Sequence, residues 1–564
     1  MSETAVKVAV TPPRASSRWP GVAFVLVLHA AALLTMFWTE NRWYTQVVYL
    51  LVWGFLNGAF LFLLRRPAIS AALSLALIQL VIALSQFKFS VVWLTLNFFD
   101  ILIVDPDTVS YLFGIFPGLR TTVLIGAALA AAAAVLMWWL DPFRALRMRS
   151  ALAGSMCLVG IVGLSFANPE EEWENFVSAN HVSKFARSGV AAMSGLVTNG
   201  WLESDAEAVG RLQAEAEPCV AAGKRPHIVM VLDESSFDMS AAPGVKLPAD
   251  YKRHFESLDG KRRSLLVEST GGPTWYAEYN VLTGLSTRSF GRNQYFVTRI
   301  AAGRVQRGLP KALRHCGYRT FTLYPAHNAF LSAGRFQAGT GVERMIDYRQ
   351  LGMGDVEPDS FFYDRAADLI RRERGDNPLF LFVYTVANHF PWYTTYRPDL
   401  TPDWRPLGNE SDVDEYIRRQ TMRARDYRAF VERLKREFPG EPFLIVRFGD
   451  HQPTISAKVI DPAADEETTA RRIRIYDPRY FTTYYAIDAI NHKPPDLSSA
   501  AAKLDAAYLP IVIQEAAGVP LDPSFREQKR IFNRCYGLFY SCAGGAEARR
   551  FNRLLIDAGL IKGL

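Results

Sequence analysis

The sequence predicts a two-part chain: an α-helical membrane domain of five spans, then an exported α/β domain with a mostly parallel sheet. Three observations predict it. Charged side chains are unevenly spread, with 17 in residues 1–167 and 102 in the other 397, so two kinds of polypeptide are joined. The first part holds five charge-free stretches of about 20 residues each. In the second part, short β-branched apolar runs alternate with helical patterns. At 564 residues the chain is too long for one ordinary domain of ~100–200 residues. Its 49% hydrophobic content excludes a disordered chain.

The charge-free stretches are 19–39, 43–64, 67–87, 121–140 and 150–169. Each is long enough to cross ~30 Å of hydrocarbon as a helix. Five in succession, with basic residues between them, argue against buried core helices. The first is too long for a signal peptide and lacks a small-residue cleavage site. Basic residues in the short connections set the orientation. Lys7, Arg14 and Arg18, then Arg65 and Arg66, then Arg144, Arg147 and Arg149 share one side, assigned to the cytoplasm. Arg42 and Arg120 lie opposite, with Asp100, Asp105 and Asp107. Everything after about Asn168 then falls outside, which for a bacterial inner membrane means the periplasm. Segment 88–120 is apolar but broken by three Asp and two Pro. It reads as interfacial or re-entrant structure, or as a simple hairpin. Lys88 and Asp100 are placed where a lipid headgroup could be held.

The expected divisions are a membrane domain at 1–167, a juxtamembrane helical linker at 168–224, a periplasmic catalytic domain at 225–545 and a tail at 546–564. Cys157 lies in the fifth span. Cys219, Cys316, Cys535 and Cys542 fall where disulfides persist. Cys535 pairs with Cys542 on this reading, and a Cys219–Cys316 bridge stays open. The net charge is +7, of which residues 1–167 contribute +5. The excess is therefore a topology signal and not a nucleic-acid-binding patch.

Apolar runs at 227–232, 319–324, 379–386, 442–448 and 480–487 read as strands. Segments 305–316, 360–373 and 413–437 read as helices between them. In such sheets the ligand site lies beyond the carboxyl ends of the strands. Polar residues do follow these runs: Asp233 and Glu234, His327 and Asn328, Asn388 and His389, Asp450 and His451. Carboxylates and imidazoles at several strand ends form a ligand set for a divalent cation. A nucleophile is offered by Thr274, which follows the turn Gly271-Gly272-Pro273 and opens a helical segment, WYAEYNVLTGL. A hydroxyl there sits near unpaired N–H groups and the positive end of the helix dipole. A bound cation would lower its pKa. A plain N-cap is the other role for Thr274, and Ser269, Thr270 and Ser286 are competing hydroxyls.

Behind the five spans come V-L-D-E-S-S, G-G-P-T-W-Y-A-E, A-N-H-F-P-W and F-G-D-H-Q-P, in that order. Over nearly the whole chain, to about residue 490, this resembles the lipoteichoic acid synthase group. Those are membrane-anchored phosphoglycerol transferases of the alkaline phosphatase and sulfatase superfamily. The resemblance implies Glu234, Asp450, His451 and Thr274 as metal ligands, with Thr274 also the nucleophile and Glu278 following it. It implies His389 on the substrate side. Arg335 is the nearest candidate for a phosphate-contacting arginine, and His327 and Trp275 could share that role. One divalent cation is implied, manganese first, with magnesium or zinc as the other candidates. The implied reaction moves the headgroup of phosphatidylglycerol or phosphatidylethanolamine to an envelope glycan or glycolipid through a phosphothreonine-type intermediate. The alternatives are a membrane-anchored phosphodiesterase or phosphatase using water, and a non-catalytic membrane scaffold. The turn here is G-G-P-T and not G-Q-G-K-T, so the pocket floor differs. The signature C-x-P-x-R is missing, which disfavours a formylglycine sulfatase.

Overall fold

The computed structural model describes residues 19–564 apart from 104–108, 110–111, 114–115, 142, 199, 206, 208–211, 213–218, 220–223 and 355. Lys7, Arg14, Arg18, Asp105 and Asp107 lie outside the described residues. The chain forms two compact units. One comprises Met1–Leu84, Thr121–Glu170 and Ala179–Val190; the other comprises Ser85–Arg120, Glu171–Ser178 and Ala191–Leu564.

Among the described residues, five helices are long and apolar enough to cross a membrane. They are α1 (Trp19–Thr39), α2 (Trp43–Leu64), α3 (Pro67–Val92), α4 (Pro117–Leu140) and α5 (Arg147–Ala167). Their outward faces carry large apolar side chains, among them Leu34, Leu129 and Val159. Small residues let α2 and α5 pack closely. A Cβ on Gly58 would stand 2.8 Å from the Gly154 Cα. The next helix, α6 (His181–Thr198), begins under Glu40. The Glu40 carboxylate accepts from the Val182 and Ser183 N–H groups at 3.2 and 3.3 Å and from the Ser183 hydroxyl at 2.6 Å. This satisfies donors that a helix start leaves unpaired.

The second unit is built on one eight-stranded sheet, in the order β4-β3-β5-β1-β6-β7-β2-β8. Its strands are β1 (His227–Asp233), β2 (Arg263–Leu266), β3 (Arg319–Leu323), β4 (Arg344–Ile346), β5 (Leu379–Thr385), β6 (Phe443–Gly449), β7 (Thr482–Ile490) and β8 (Lys503–Asp505). β1 lies between β5 and β6, parallel to both. β7 runs antiparallel to β6 and β2, so the sheet is mixed but mostly parallel. Side chains alternate along β1. Ile228, Met230 and Leu232 enter one core layer, while Val229 and Val231 enter the other. Both faces are covered, which explains why the strands read as continuous apolar runs.

Helices α7 (Thr274–Thr283), α8 (Ala333–Thr340), α9 (Asp359–Glu373) and α10 (Ser411–Glu437) lie between the strands in sequence. The C-terminal segment, expected as a tail, instead forms α11 (Ala546–Asp557). Its Phe551 and Leu555 join the main core with Ile561. Their spacing puts Phe551 and Leu555 on one helical stripe. The expected Cys535–Cys542 disulfide is present, and so is the Cys219–Cys316 bridge that the sequence leaves open.

Candidate metal centre and nucleophile

The carboxyl ends of three adjacent strands, β5, β1 and β6, bring the candidate residues together. After β1 the chain turns sharply at Ser235, whose φ of 52° is unusual for a residue with a Cβ. That turn lets the Ser235 N–H donate to Asp450 Oδ1 at 2.8 Å. The His451 N–H donates to the same oxygen at 2.9 Å. A Cβ on Gly449 would run into the Ser236 carbonyl, so glycine in G-D-H permits the close approach of the two strand ends.

Glu234, Asp450 and His451 each offer a ligand atom, and these atoms lie within 4.8 Å of one another. All three residues are buried. His451 Nδ1 is 2.9 Å from the Gln452 carbonyl. A carbonyl only accepts, so Nδ1 carries a proton and Nε2 is the nitrogen turned to the carboxylates, a lone-pair donor once it is deprotonated. Nε2 stands 3.3 Å from Glu234 Oε1 and 3.3 Å from Asp450 Oδ2. Neither Asp450 Oδ2 nor His451 Nε2 makes a hydrogen bond, although both atoms are buried. Orphaned buried acceptors are costly unless something pairs them. A divalent cation fits this donor set.

The charges are strongly coupled. Burial pushes Asp450 up to about 7, and the Glu234 charge adds to the effect. Burial opposes charge on His451, yet Asp450 and Glu234 lift it to about 9. Glu234, despite its burial, is held down to about 2 by His451 and His389.

Thr274 is the first residue of α7, and the capping position belongs to Pro273. Its hydroxyl therefore has no capping task. It donates to Glu234 Oε2 at 3.2 Å, with the Gly272 carbonyl at 3.3 Å. The competing hydroxyls are placed differently. Ser286 is bound to the Glu268 carboxylate, Ser269 donates to the Asp450 carbonyl at 3.4 Å, and Thr270 Oγ1 is buried without a partner. A cavity of about 30 Å³ is lined by two of the three candidate ligands, Glu234 and His451. His389 lines it, with Phe390, Trp392 and Thr454. His389 Nδ1 donates to the Phe390 carbonyl at 2.7 Å, which leaves Nε2 available.

Other candidates are not brought here. Arg335 is exposed on α8 and does not line the cavity. His327 does not line it either, and its Nδ1 accepts from the Ala329 N–H at 3.0 Å. Trp275 turns into the core: its indole N–H donates to the Tyr295 carbonyl at 2.8 Å, and its ring meets Tyr276, Tyr295 and Phe330. Apolar burial wins over phosphate contact at that position. Glu278 also faces the core, accepting from Gln337 at 2.9 Å, and burial pushes it up to about 7. The Lys88 ammonium is not free for a lipid headgroup. It lies 2.8 Å from both Asp100 oxygens and 4.0 Å above the Tyr295 ring. Asp233 is fully buried beneath the site, 3.1 Å from His254 Nε2.

Three supporting residues on α10 escaped the sequence reading. Arg419 donates to the carbonyls of His389 (2.8 Å), Pro391 (2.6 Å) and Thr394 (2.9 Å), and so holds the loop after β5. Arg423 donates to the Glu234 carbonyl at 3.0 Å and to Asp359 Oδ2 at 2.7 Å. Asp359 in turn accepts from the Ala387 N–H at 2.9 Å. The Tyr416 hydroxyl donates to the Ser235 carbonyl at 2.8 Å and accepts from the Phe237 N–H at 2.7 Å.

Residues 226–475, which contain the whole constellation, match the sulfatase family model. An uncharacterised protein of Haemophilus influenzae is 24% identical over 202 residues, 33% of this chain and 36% of its own length. The chain thus spans about a third of that relative. Among solved structures, the phosphoglycerol transferase GacH of Streptococcus pyogenes, in complex with sn-glycerol-1-phosphate, is 16% identical with a TM-score of 0.45. That match covers 60% of this chain and 87% of GacH. The lipooligosaccharide phosphoethanolamine transferase A (EptA) of Neisseria meningitidis, an integral membrane protein, is 14% identical with a TM-score of 0.48. It covers 91% of this chain and 96% of EptA.

Proposed function

We propose that the protein transfers a phospholipid headgroup to a cell-envelope glycan or glycolipid, with Thr274 as the nucleophile. The observation that carries this reading is the Thr274 hydroxyl 3.2 Å from Glu234, beside the buried group of Glu234, Asp450 and His451. The orphaned Asp450 Oδ2 and His451 Nε2 support a cation site, as does the match of residues 226–475 to the sulfatase family model. A divalent cation, manganese first, then magnesium or zinc, would be held by Glu234, Asp450, His451 and Thr274; it would polarise the phosphoryl oxygens and lower the hydroxyl pKa.

Thr274 Oγ1, its proton already lost to solvent, attacks the phosphorus of phosphatidylglycerol or phosphatidylethanolamine as the oxyanion, and the bond from phosphorus to the diacylglycerol oxygen breaks. His389 gives that oxygen a proton. A hydroxyl of the acceptor then attacks the phosphothreonine, returns a proton to His389 and frees Thr274. The basic residues between the spans support an N-terminus in the cytoplasm of a bacterial inner membrane, with the catalytic domain in the periplasm. Anchoring holds the domain near a donor that stays in the bilayer and raises its effective concentration.

The test uses full-length protein in detergent, acyl-labelled donor lipid and Mn²⁺. Diacylglycerol release should rise with added glycan acceptor, and Thr274→Ala should abolish it while the fold is retained. Release by Thr274→Ala would remove the nucleophile. Release indifferent to every acceptor would instead favour water as the second nucleophile, and so a phosphodiesterase.

A further inference from the structure

Helix α3 has 26 residues. About 20 suffice to cross the hydrocarbon layer, so roughly six residues, or ~9 Å of helix, are surplus. Those residues belong to the same compact unit as the sheet. They are tied down there by Lys88, paired with Asp100 and stacked on Tyr295. Beyond Lys88, Val91 and Val92 line the cavity beside Glu234 and His451. The helix then ends at Trp93, with φ of 55°.

The contact with the nucleophile turn is close. A Cβ on Gly272 would stand 2.7 Å from the Val92 Cα, and one on Gly271, whose φ is 75°, would stand 3.0 Å from the Trp93 Cβ. No methyl group fits between the turn that leads into Thr274 and the tip of α3. This gives a physical reason for two consecutive glycines before Pro273. The cavity has a polar part, formed by Glu234, His389 and His451, and an apolar part, formed by Val91, Val92, Phe390 and Trp392. Val91 and Val92 line the same cavity as Glu234, His389 and His451, so a substrate group seated beside those residues meets the two valines.

We propose that the tip of α3, Val91 and Val92, is a wall of the donor site and sets the upper size of the headgroup that Thr274 receives. The fit is to a phosphodiester bearing a small glycerol or ethanolamine group, and the wall excludes a bulky one such as inositol. This rests on the headgroup-transfer reading above, so the test has two independent arms.

The first arm compares wild-type protein with Val92→Ala and Val91→Ala, full-length in detergent, on acyl-labelled phosphatidylglycerol and phosphatidylinositol. The ratio of inositol-lipid to glycerol-lipid turnover should rise about tenfold in the valine variants, the scale of a pocket gaining one or two methylenes of room. The second arm needs no turnover. Val91→Cys, in a Cys157→Ser background, is alkylated by an anionic thiol reagent with and without glycerol phosphate plus Mn²⁺. At ten times its Kd the ligand should slow alkylation about tenfold.

A shifted ratio with protection supports the wall. An active enzyme whose ratio is unchanged overturns the size limit, whatever the protection. A wild-type protein that releases diacylglycerol from no phospholipid, yet shows protection, keeps the wall and removes the lipid-donor reading. Inactivity without protection overturns both.

Discussion

Arg423 makes the most exacting prediction about what holds the site in place. It is fully buried, with Asp359 Oδ2 at 2.7 Å and Asp233 Oδ1 at 3.9 Å. Both carboxylates are also fully buried. Despite its burial, Asp233 is held well below the usual carboxylate range, chiefly by Arg423. Asp359 is pushed up by burial, and Arg423 opposes that push. Arg423→Met keeps much of the volume and removes the charge, leaving two buried carboxylates without their common partner. Breaking a buried pair in this way costs about 3–5 kcal/mol. For a domain of about 340 residues that converts to a fall in Tm of roughly 4–7 °C. The deficit should depend on pH. Without Arg423, Asp359 rises further, so the folded variant binds a proton that the unfolded chain releases. Its stability is therefore greatest at and below the ordinary carboxylate range and is lost as pH rises through the raised folded value. Thermal unfolding of full-length wild-type and variant protein at about pH 5 and pH 8 measures this, and the gap should narrow at the lower pH. A loss below 1 kcal/mol, or the same loss at both pH values, would refute the reasoning.

Two other perturbations separate positioning from ligation and test the covalent framework. Arg419→Ala releases three loop carbonyls, so donor turnover should fall by at least tenfold, about 1.4 kcal/mol, while Mn²⁺ affinity measured by calorimetry is unchanged; loss of the metal would contradict the separate roles. Replacing Cys219 and Cys316 by serine opens a loop with a sequence separation of 97 and should cost about 4–5 kcal/mol in denaturant unfolding, whereas the Cys535–Cys542 pair, with a separation of 7, should cost about 2.5.

The sequence carried the central strands and their polar ends because each of those strands is a buried run of five to nine residues. Glu234 and Asp450 follow such runs directly and His389 comes four residues after one, so the strand-end rule is enough to group them. The short strands β2, β4 and β8 have four, three and three residues and no run to detect. Their pairing comes from neighbours already in place. The antiparallel direction of β7 has no local signal either. Helix α10 misled for another reason. Its charge-rich sequence reads as a solvated face, yet Arg418, Arg419 and Arg423 are buried. Only the i, i+4 spacing of Glu415, Arg419 and Arg423 hinted at a common row. Trp275 and Lys88 carry chemistry that their surroundings already consume: an indole N–H used by Tyr295, and an ammonium used by Asp100. Partners brought in by tertiary structure decide such cases.

The central claim is that Thr274 receives the headgroup phosphate. Full-length protein quenched in acid during turnover of phosphatidylglycerol, then digested and analysed by mass spectrometry, tests it directly. A phosphoglycerol adduct is expected on the peptide containing Thr274, absent from Thr274→Ala. An adduct on another residue, or none while diacylglycerol is being released, would contradict it.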